Sequence, residues 1–252
     1  MAENTLTGFQ LIDNEFGGLW NGEVTLIGGR PAMGKTSFAL RIAHYAAITE
    51  KKKVLFISGQ HSRTDLELRL VSMISGIPQL KIRGWDMSDE EWNLFRETAK
   101  QIEEMPITFC YADTMFAVKH FCKRCRDEGY DLVIFDYLQL IIRDFSEKEK
   151  HTEGENLKSL KKIAEKYNVP VVVLTQLSRK LEMRKDRHPK IKDIRGKGIK
   201  KKYYNQAFFL YREAYYDRKA PADAAELIGI NPDNGDILSE NIKWKSDTCT
   251  FN

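Results

Sequence analysis

The amino-acid sequence predicts an α/β protein with a mostly parallel, twisted sheet flanked by helices. Short β-rich runs alternate with amphipathic segments along the chain, which is the pattern of βαβ units. Several of these runs are apolar at consecutive positions, as expected of strands that helices cover on both faces. With 252 residues the chain is long enough for one large domain with a substantial core, and we expect residues 1–252 to form that single domain.

The predicted strands are, in chain order, Val24–Ile27, Val54–Ile57, Ile107–Tyr111, Leu132–Phe135, Val171–Leu174, Phe208–Tyr211 and Leu227–Ile230. The predicted helices between them are Lys35–Glu50, Asp65–Ile74, Asp89–Glu104, Met115–Gly129 and Glu155–Tyr167. Local signals support their ends. Ser88 and Glu91 have the spacing of a capping box, and Gly129 and Asn168 stand where carboxyl-terminal caps belong.

Two stretches without a helical or strand period, Arg143–Gly154 and Leu181–Lys202, are predicted to be exposed loops. The second carries most of the positive charge. The whole chain has a net charge of +4, but Arg179–Lys202 alone sums to +9, which leaves −5 for the other 228 residues. A basic patch on an acidic body indicates a polyanionic partner.

Composition excludes several classes of protein. At 42% hydrophobic and 30% charged residues the chain is globular, not disordered. No apolar run approaches the roughly 18 residues of a membrane helix, and the amino end lacks the regions of a secretory signal. Four cysteines are too few for a disulfide framework, which favours a reducing compartment. From these three observations we expect a cytoplasmic protein without membrane association. Cys122 and Cys125 have C-x-x-C spacing without a second ligand pair, which favours ordinary helix cysteines.

A phosphate-binding loop follows the first predicted strand. The run from Gly29 to Thr36, GRPAMGKT, matches G-x-x-x-x-G-K-[ST], with a strand before it and a helix after it. Backbone N–H groups at a helix amino terminus attract phosphate, Lys35 would neutralise phosphate charge, and the Thr36 hydroxyl would bind Mg²⁺. These flanks disfavour a chance match on a glycine-rich turn. The candidate nucleotide-binding residues are Gly29, Arg30, Pro31, Ala32, Met33, Gly34, Lys35, Thr36 and Ser37.

Asp136 is the second candidate for the magnesium site. It ends the apolar run Leu132–Phe135, which is where P-loop NTPases carry the acid that helps to hold Mg²⁺. An ordinary turn residue is the alternative, and the phosphate-binding loop upstream makes the magnesium role the preferred interpretation.

Four segments together resemble the RecA-fold motor domain of the DnaB-type replicative helicases. They are TGFQLIDNEFGGLWNGEVTLIGGRPAMGKTSFAL, DLVIFDYLQLI, VPVVVLTQLSR and FFLYREAYYD, in family order over nearly the whole chain. Arg30, Pro31, Met33 and the run Asp136–Gln139 are the most specific matches. The resemblance implies a RecA-like P-loop NTPase that binds ATP and Mg²⁺, forms hexameric rings and moves along single-stranded DNA. The family's amino-terminal, primase-interacting domain has no match in this sequence.

The resemblance also assigns candidate catalytic residues. Gln176 matches the family's glutamine sensor, which couples the γ-phosphate to the DNA loops, although a capped turn is an alternative. Gln60, in the run Ser58–Ser62, stands where the family has its catalytic glutamate. An amide can orient a water but cannot take its proton, and loss of a general base costs about 10²–10⁴-fold in rate. His61 is next in sequence, but strand alternation would direct it elsewhere, so a surface histidine is the preferred interpretation.

A further departure concerns the residues that the family contributes to the neighbouring subunit's ATP. Its Lys-x-Arg-Asn-Gly segment corresponds to Asn231-Pro232-Asp233-Asn234-Gly235, so Asn231 replaces the lysine and Asp233 replaces the arginine finger. Loss of such a finger costs about 10³–10⁵ in rate where it is known. Together with Gln60 these changes indicate an ATP-binding protein with weak turnover.

By this resemblance, Asp193–Lys202 in the basic stretch corresponds to the family's DNA-contacting loop. The family pattern has acidic residues in the downstream part of that loop, and this sequence has lysines there. The candidate DNA-binding residues are Arg195, Lys197, Gly198, Lys200, Lys201 and Lys202. Cations on a glycine-bearing loop fit phosphate contacts without sequence readout, and Tyr203 and Tyr204 would be placed to stack on bases. The alternatives are a solvated charge run and tyrosines packed at the start of a strand.

Two functions follow from the sequence. The first is an ATP-dependent DNA helicase motor. The second is a hydrolysis-impaired paralogue that binds ATP and DNA, or interacts with a helicase ring, without motor activity. A recombinase-like filament former is disfavoured by Asp136–Gln139, and a small-molecule kinase lacks an evident acceptor-binding lid.

Overall fold

The computed structural model describes residues 3–140, 152–217, 219–230, 237–245 and 250–251. Its strands and α-helices are, in chain order, β1 (Asn4–Thr5), β2 (Leu19–Trp20), β3 (Val24–Gly29), α1 (Lys35–Ile48), β4 (Val54–Ser58), α2 (Arg63–Ser75), α3 (Gln79–Gly84), α4 (Asp89–Glu104), β5 (Ile107–Tyr111), α5 (Met115–Glu128), β6 (Leu132–Asp136), α6 (Glu153–Tyr167), β7 (Val171–Gln176), β8 (Gln206–Tyr211), β9 (Ala224–Ile230), β10 (Ile237–Lys245) and β11 (Thr250–Phe251).

One large sheet organises the described part of the chain, with the strand order β11-β10-β9-β8-β3-β7-β6-β4-β5. The six strands from β8 to β5 in that order run parallel, and β9, β10 and β11 are antiparallel additions at the other end. This confirms the predicted mostly parallel α/β fold. The carboxyl ends of β3, β4, β6 and β7 meet at one edge of the sheet, because parallel neighbours point the same way.

The hydrophobic core lies on both faces of this sheet, and alternate strand residues contribute to opposite faces. Ile27 and Phe208 pack into the cluster beneath α1, α2 and α4, whereas their neighbours Leu26 and Phe209 pack into the cluster beneath α5 and α6. Every residue of β3 is buried. Burial on both sides explains why the predicted strands are apolar at consecutive positions.

Elements with weak local patterns were not predicted. The helix α3 is a single short segment after Pro78, and β1, β2 and β11 are two residues each. Strand β10, which pairs with β9, is mostly exposed, so it carries polar residues such as Glu240 and Lys243 and has no continuous apolar run. In the described residues no helix is long and apolar enough to cross a membrane.

The first predicted loop, Arg143–Gly154, lies largely outside the described residues, which resume at Thr152. Its last two residues belong instead to α6, which begins at Glu153. The Thr152 hydroxyl accepts the Glu155 amide and the Glu155 carboxylate accepts the Thr152 amide, a capping box that fixes this start.

The basic segment, Arg179–Lys202, is more ordered than predicted. Short 3₁₀ turns occur at Arg179–Met183, Ile191–Asp193 and Lys201–Tyr203. Leu181 and Asp193 are buried, and Arg184 donates two hydrogen bonds of 2.9 and 2.8 Å to the Asp193 carboxylate. The prediction of an exposed loop at Leu181–Lys202 is wrong at Leu181 and Asp193, because their burial depends on tertiary contacts that local periodicity does not reveal.

Candidate functional site

The loop between β3 and α1 has the backbone shape that its motif predicts. Ala32 and Gly34 have positive φ angles of 63° and 89°, and Gly34 stands at the amino end of α1 without a side-chain cap. Glycine adopts this left-handed conformation at little cost. The loop therefore turns sharply and presents the positively polarised end of a 14-residue helix.

Lys35 lies inside the loop. Its Nζ donates hydrogen bonds to the carbonyl oxygens of Gly29 at 3.0 Å and Arg30 at 3.1 Å. Burial lowers the pKa of Lys35 to about 8, although the nearby Asp136 carboxylate opposes the shift. The ammonium group is thus held in a poorly solvated position, where an anion would stabilise its charge.

Thr36 and Asp136 meet across the end of the sheet. The Thr36 Oγ1 donates to Asp136 Oδ2 at 2.8 Å, and the Asp136 residue is only 1% exposed. Burial raises the pKa of Asp136 to about 6, against the opposing effects of Thr36, Lys35 and Arg69. The predicted magnesium ligands are therefore adjacent, and both offer the oxygen atoms that Mg²⁺ prefers.

A cavity of about 520 Å³ opens over these groups. Its lining residues are Pro31, Ala32, Gly34, Lys35, Thr36, Ser37, Gln60, His61, Arg69, Asp136, Tyr137, Gln176 and Arg212. The structure thus brings together residues from the carboxyl ends of β4, β6 and β7 with the phosphate-binding loop. Nine of them are candidate residues of the sequence prediction: Pro31, Ala32, Gly34, Lys35, Thr36, Ser37, Gln60, Asp136 and Gln176.

Three predicted nucleotide-binding residues do not line the cavity: Gly29, Arg30 and Met33. Gly29 contributes only the carbonyl that accepts from Lys35. The Arg30 side chain is directed away, donating to Glu182 Oε1 at 2.8 Å and to the Leu177 carbonyl at 2.8 Å. Met33 is 1% exposed and packs in the core. The side chains of Arg30 and Met33 support the loop from behind instead of lining the cavity.

Gln60 and His61 reach the cavity through a turn at the end of β4. The Ser58 hydroxyl accepts the amides of Gln60 at 3.2 Å and His61 at 2.9 Å, so the chain bends immediately after the strand. Both residues line the cavity, with Gln60 exposed and His61 half-buried. The expectation that His61 is directed elsewhere is wrong, because strand alternation ends at Ser58.

Burial lowers the pKa of His61, and the positive charges of Arg69 and Arg83 lower it further against the opposing effect of Asp65. His61 is therefore neutral at neutral pH, with one ring nitrogen able to accept a proton.

Arg69, Tyr137 and Arg212 are cavity residues that sequence reasoning missed. Arg69 projects from α2, and its buried Nε has no hydrogen-bond partner among the residues that the structure describes. Arg212 follows β8 and donates to the Ala32 carbonyl at 3.3 Å. A lone arginine on an amphipathic helix, such as Arg69, carries no local signal of a site. Arg212 lies within FFLYREAYYD, one of the four segments that carry the family resemblance, so the resemblance was the signal that could have found it.

The cavity is connected to the basic segment through the end of β7. The Arg195 amide donates to the Gln176 carbonyl at 3.0 Å. Gln139 bridges the same two residues, because its Oε1 accepts the Gln176 amide at 3.1 Å and its Nε2 donates to the Arg195 carbonyl at 2.6 Å. Arg195 is thus fixed to a residue of the cavity wall.

All six candidate DNA-binding residues are exposed: Arg195, Lys197, Gly198, Lys200, Lys201 and Lys202. The segment around Lys197 lies against the amino end of α6. Its amide donates to Glu153 Oε2 at 2.9 Å, and its carbonyl accepts the Gly154 amide at 3.1 Å. The turn Lys201–Tyr203 then packs along α6. These contacts hold the cations on a defined surface.

The structure contradicts the suggested stacking role of Tyr204. Tyr204 is 6% exposed and belongs to the core beneath α5 and α6, and Tyr203 is partly buried against the same cluster. They are tyrosines packed ahead of β8, which is the alternative that the sequence left open.

Two other sequence predictions concern the segment Asn231–Gly235 and the cysteine pair Cys122 and Cys125. The segment Asn231–Gly235, which contains Asn231 and Asp233, lies outside the described residues. Cys122 is fully buried in the core beneath α5 and α6, as expected of an ordinary helix cysteine, whereas the side chain of Cys125 lies outside the described part of the chain. The described residues contain no group of three or more His, Cys, Asp or Glu side chains placed to hold a metal ion.

Known proteins resemble the chain in sequence over almost its entire length. Residues 5–252 match the family described as DnaB-like helicase C terminal domain. The replicative DNA helicase DnaB of Rickettsia typhi is 34% identical over 234 residues, which cover 86% of this chain and 46% of that protein. The DnaB of Haemophilus influenzae is 31% identical over 253 residues, covering 97% of this chain and 54% of that protein. The chain therefore spans about half the length of these relatives.

Solved structures resemble it equally over the whole chain. A DnaB-like replicative helicase, described with its interactions with primase, superposes with a TM-score of 0.89 at 25% identity, over 99% of this chain and 61% of that one. A second solved structure, described as an ATPase domain, gives a TM-score of 0.87 at 24% identity, over 99% of this chain and 90% of that one. These likenesses confirm the predicted RecA-like α/β fold class.

Proposed function

Because the chain belongs to the family of DnaB-like helicase C-terminal domains, we propose that it binds ATP with Mg²⁺ and couples ATP hydrolysis to single-stranded DNA binding. The observation that carries the proposal is that Lys35, Thr36 and Asp136 meet in one cavity. Gln176, in the wall of that cavity, accepts a hydrogen bond from Arg195 of the basic segment. We also propose that residues 1–252 act as one domain, since both core clusters pack on the same sheet.

The nucleotide site supports binding of a triphosphate with its metal. The Thr36 hydroxyl and the Asp136 carboxylate would hold Mg²⁺, which would neutralise part of the phosphate charge. Lys35, Arg69 and Arg212 add three cations to the cavity wall. The orphaned Arg69 Nε fits an incoming phosphate oxygen, because a buried N–H donor without an acceptor is unfavourable until it is paired.

Single-stranded DNA is the proposed partner of the basic segment. The exposed cations from Arg195 to Lys202 would bind phosphates without reading sequence. Gln176 lines the nucleotide cavity, and its carbonyl accepts a hydrogen bond from the Arg195 amide. A nucleotide that moved Gln176 would therefore also move Arg195, the first of the proposed DNA-binding residues. By the same family membership we propose a homo-oligomeric ring, or association with a helicase partner, in the cytoplasm.

A second function is favoured by Gln60. This residue lines the cavity at the end of β4, where the family's catalytic glutamate is expected, and its amide cannot accept a proton. A hydrolysis-impaired module that binds ATP and DNA, or interacts with a ring, would retain every other feature of the site. Asn231 and Asp233 favour the same function from the sequence alone.

The two functions are separated by measuring ATP binding and ATP hydrolysis, with and without single-stranded DNA. For the motor we expect DNA-stimulated hydrolysis that Lys35→Ala abolishes. For the module we expect ATP binding without turnover, and turnover gained by the double variant Gln60→Glu, Asp233→Arg. Robust turnover by the unaltered chain would exclude the module, and failure to bind MgATP at all would refute both.

A further inference from the structure

We infer that His61 is the proton acceptor for the water that attacks ATP, in the chemical role that Gln60 cannot fill. This inference rests on the proposed ATPase function of the same cavity. The sequence alone disfavoured it, because a residue that follows Gln60 in a continuing strand would face the other way. The observed turn removes that objection.

The turn fixes His61 at the correct edge of the sheet. Ser58 is the register partner of Asp136, and the Gly59 amide donates to the Asp136 carbonyl at 2.7 Å. The Ser58 hydroxyl then holds the amides of both Gln60 and His61. The turn is therefore tied to the end of β6 that carries the proposed magnesium ligand. Of the two adjacent cavity residues, His61 is the less exposed to solvent.

The surroundings of His61 keep its imidazole available as a base. The charged groups that face it are Arg69 and Asp65 of α2 and Arg83 of α3, two cations and one carboxylate. That carboxylate is already engaged, because Asp65 accepts from Arg83 at 2.7 Å and from the Ser62 hydroxyl at 3.1 Å. The hydrogen bond from Arg83 lowers the pKa of Asp65, so Asp65 is a weaker base than His61. Burial and the two arginines lower the pKa of His61, so the neutral ring predominates at pH 7.

The proposed step is balanced by the reactants. The water oxygen forms a bond to the γ-phosphorus while the bond from that phosphorus to the bridging oxygen of ADP breaks. One water proton passes to the free ring nitrogen of His61, and the half-buried ring releases it to solvent. The Gln60 amide orients the same water by hydrogen bonding. The products are ADP, inorganic phosphate and one proton.

The test compares His61→Gln with the unaltered full chain, measuring MgATP binding and hydrolysis separately. We expect hydrolysis to fall by about 10²–10⁴-fold, as for loss of a general base, with ATP affinity retained. In His61→Ala, added imidazole should restore part of the rate, a rescue that a purely structural role would not give. His44→Gln is the matched control, since His44 is another half-buried histidine with a lowered pKa, but it lines a different cavity at the other end of α1.

The pH profile is a second readout. Hydrolysis by the unaltered chain should fall at acidic pH, below the ordinary titration range of histidine, because the pKa of His61 is lowered and a protonated His61 accepts no proton. The pKa of Asp136 is about 6, so its protonation adds an acidic limb that both variants keep, and the informative result is a change in the acidic limb of His61→Gln that His44→Gln does not show. Adding Gln60→Glu to His61→Gln should restore turnover with a limb at lower pH.

Unchanged hydrolysis in His61→Gln would overturn the inference. So would an unaltered chain that binds MgATP without any turnover, which leaves the proposed ATP binding intact. An unaltered chain that does not bind MgATP would refute the proposed function itself, and the inference with it.

Discussion

At the scale of single residues, the candidate site holds charged groups where burial disfavours them. Asp136 is 1% exposed, and burial raises its pKa to about 6 while lowering that of Lys35 to about 8. The Arg69 Nε has no acceptor among the described residues. Such groups lower stability in the absence of a ligand, and their retention is typical of a binding site.

Replacing Asp136 by Asn should therefore stabilise the protein in the absence of nucleotide. The folded-state pKa of about 6 exceeds the ordinary value of 3.8, so the stabilising contribution of this carboxyl is fully present below about pH 4 and is lost as the pH rises through 6. At about 1.4 kcal/mol per pKa unit, the shift from 3.8 to about 6 predicts that Asp136→Asn raises the free energy of unfolding at pH 7.5 by at most about 3 kcal/mol and has little effect at pH 4. Urea unfolding at both pH values measures this, with exposed Asp86→Asn as the control. A variant less stable at pH 7.5 would refute it.

Replacing Arg69 by Gln should weaken nucleotide binding without loss of stability. A charged hydrogen bond contributes about 1.5–3 kcal/mol, so we expect ATP affinity to fall roughly 10- to 100-fold. Arg63→Gln is the control on the same helix, because Arg63 is exposed and its side chain donates to Glu67 of its own helix. Titration of a fluorescent ATP analogue measures both, and equal affinities of the two variants would contradict the expectation.

At the scale of elements, the close approach of α6 to the basic segment determines where the DNA-binding candidates lie. A Cβ atom on Gly154 would stand 2.0 Å from the Gly198 carbonyl oxygen, which is backbone and cannot rotate away. A side chain at position 154 is therefore incompatible with the observed contact.

We expect Gly154→Ala to lower both stability and single-stranded DNA affinity, because Lys197 and Gly198 must move off α6. This reverses the usual effect, since Ala is better than Gly inside a helix by roughly 0.5–1 kcal/mol. Gly84→Ala in α3 is the matched control, because an added Cβ there meets nothing within 4 Å. Thermal unfolding and fluorescence anisotropy with an oligothymidine compare the two. A Gly154→Ala variant as stable as Gly84→Ala would be evidence against the contact.

At the scale of the whole molecule, charge is segregated. The basic segment carries +9 while the remaining residues sum to −5, and three of its lysines are consecutive at positions 200–202. Binding of DNA to such a surface is dominated by release of counterions and weakens with salt.

The triple variant Lys200→Ala, Lys201→Ala, Lys202→Ala should lower the salt dependence of single-stranded DNA binding. Each phosphate contact contributes about 0.7 to the slope of log affinity against log salt, so we expect the slope to decrease by about 2. Substituting Lys100, Lys119 and Lys123, which are exposed elsewhere, removes the same charge as a control. Identical slopes for the two triple variants would show that position is irrelevant.

The sequence by itself determined the fold class, the positions of the main strands and helices along the chain, the phosphate-binding loop, and Thr36 and Asp136 as candidates for one magnesium site. These features depend on local periodicity and on motifs of a few consecutive residues, so short-range patterns suffice to predict them. Only the tertiary structure decided that Arg30 and Met33 lie behind the loop, that Tyr204 is buried, and that His61 and Arg69 enter the cavity. Those positions depend on a turn at Ser58, on the ion pair between Arg30 and Glu182, and on how α2 packs over the sheet. Contacts between distant segments produce no periodic pattern in the sequence, so the sequence does not reveal them.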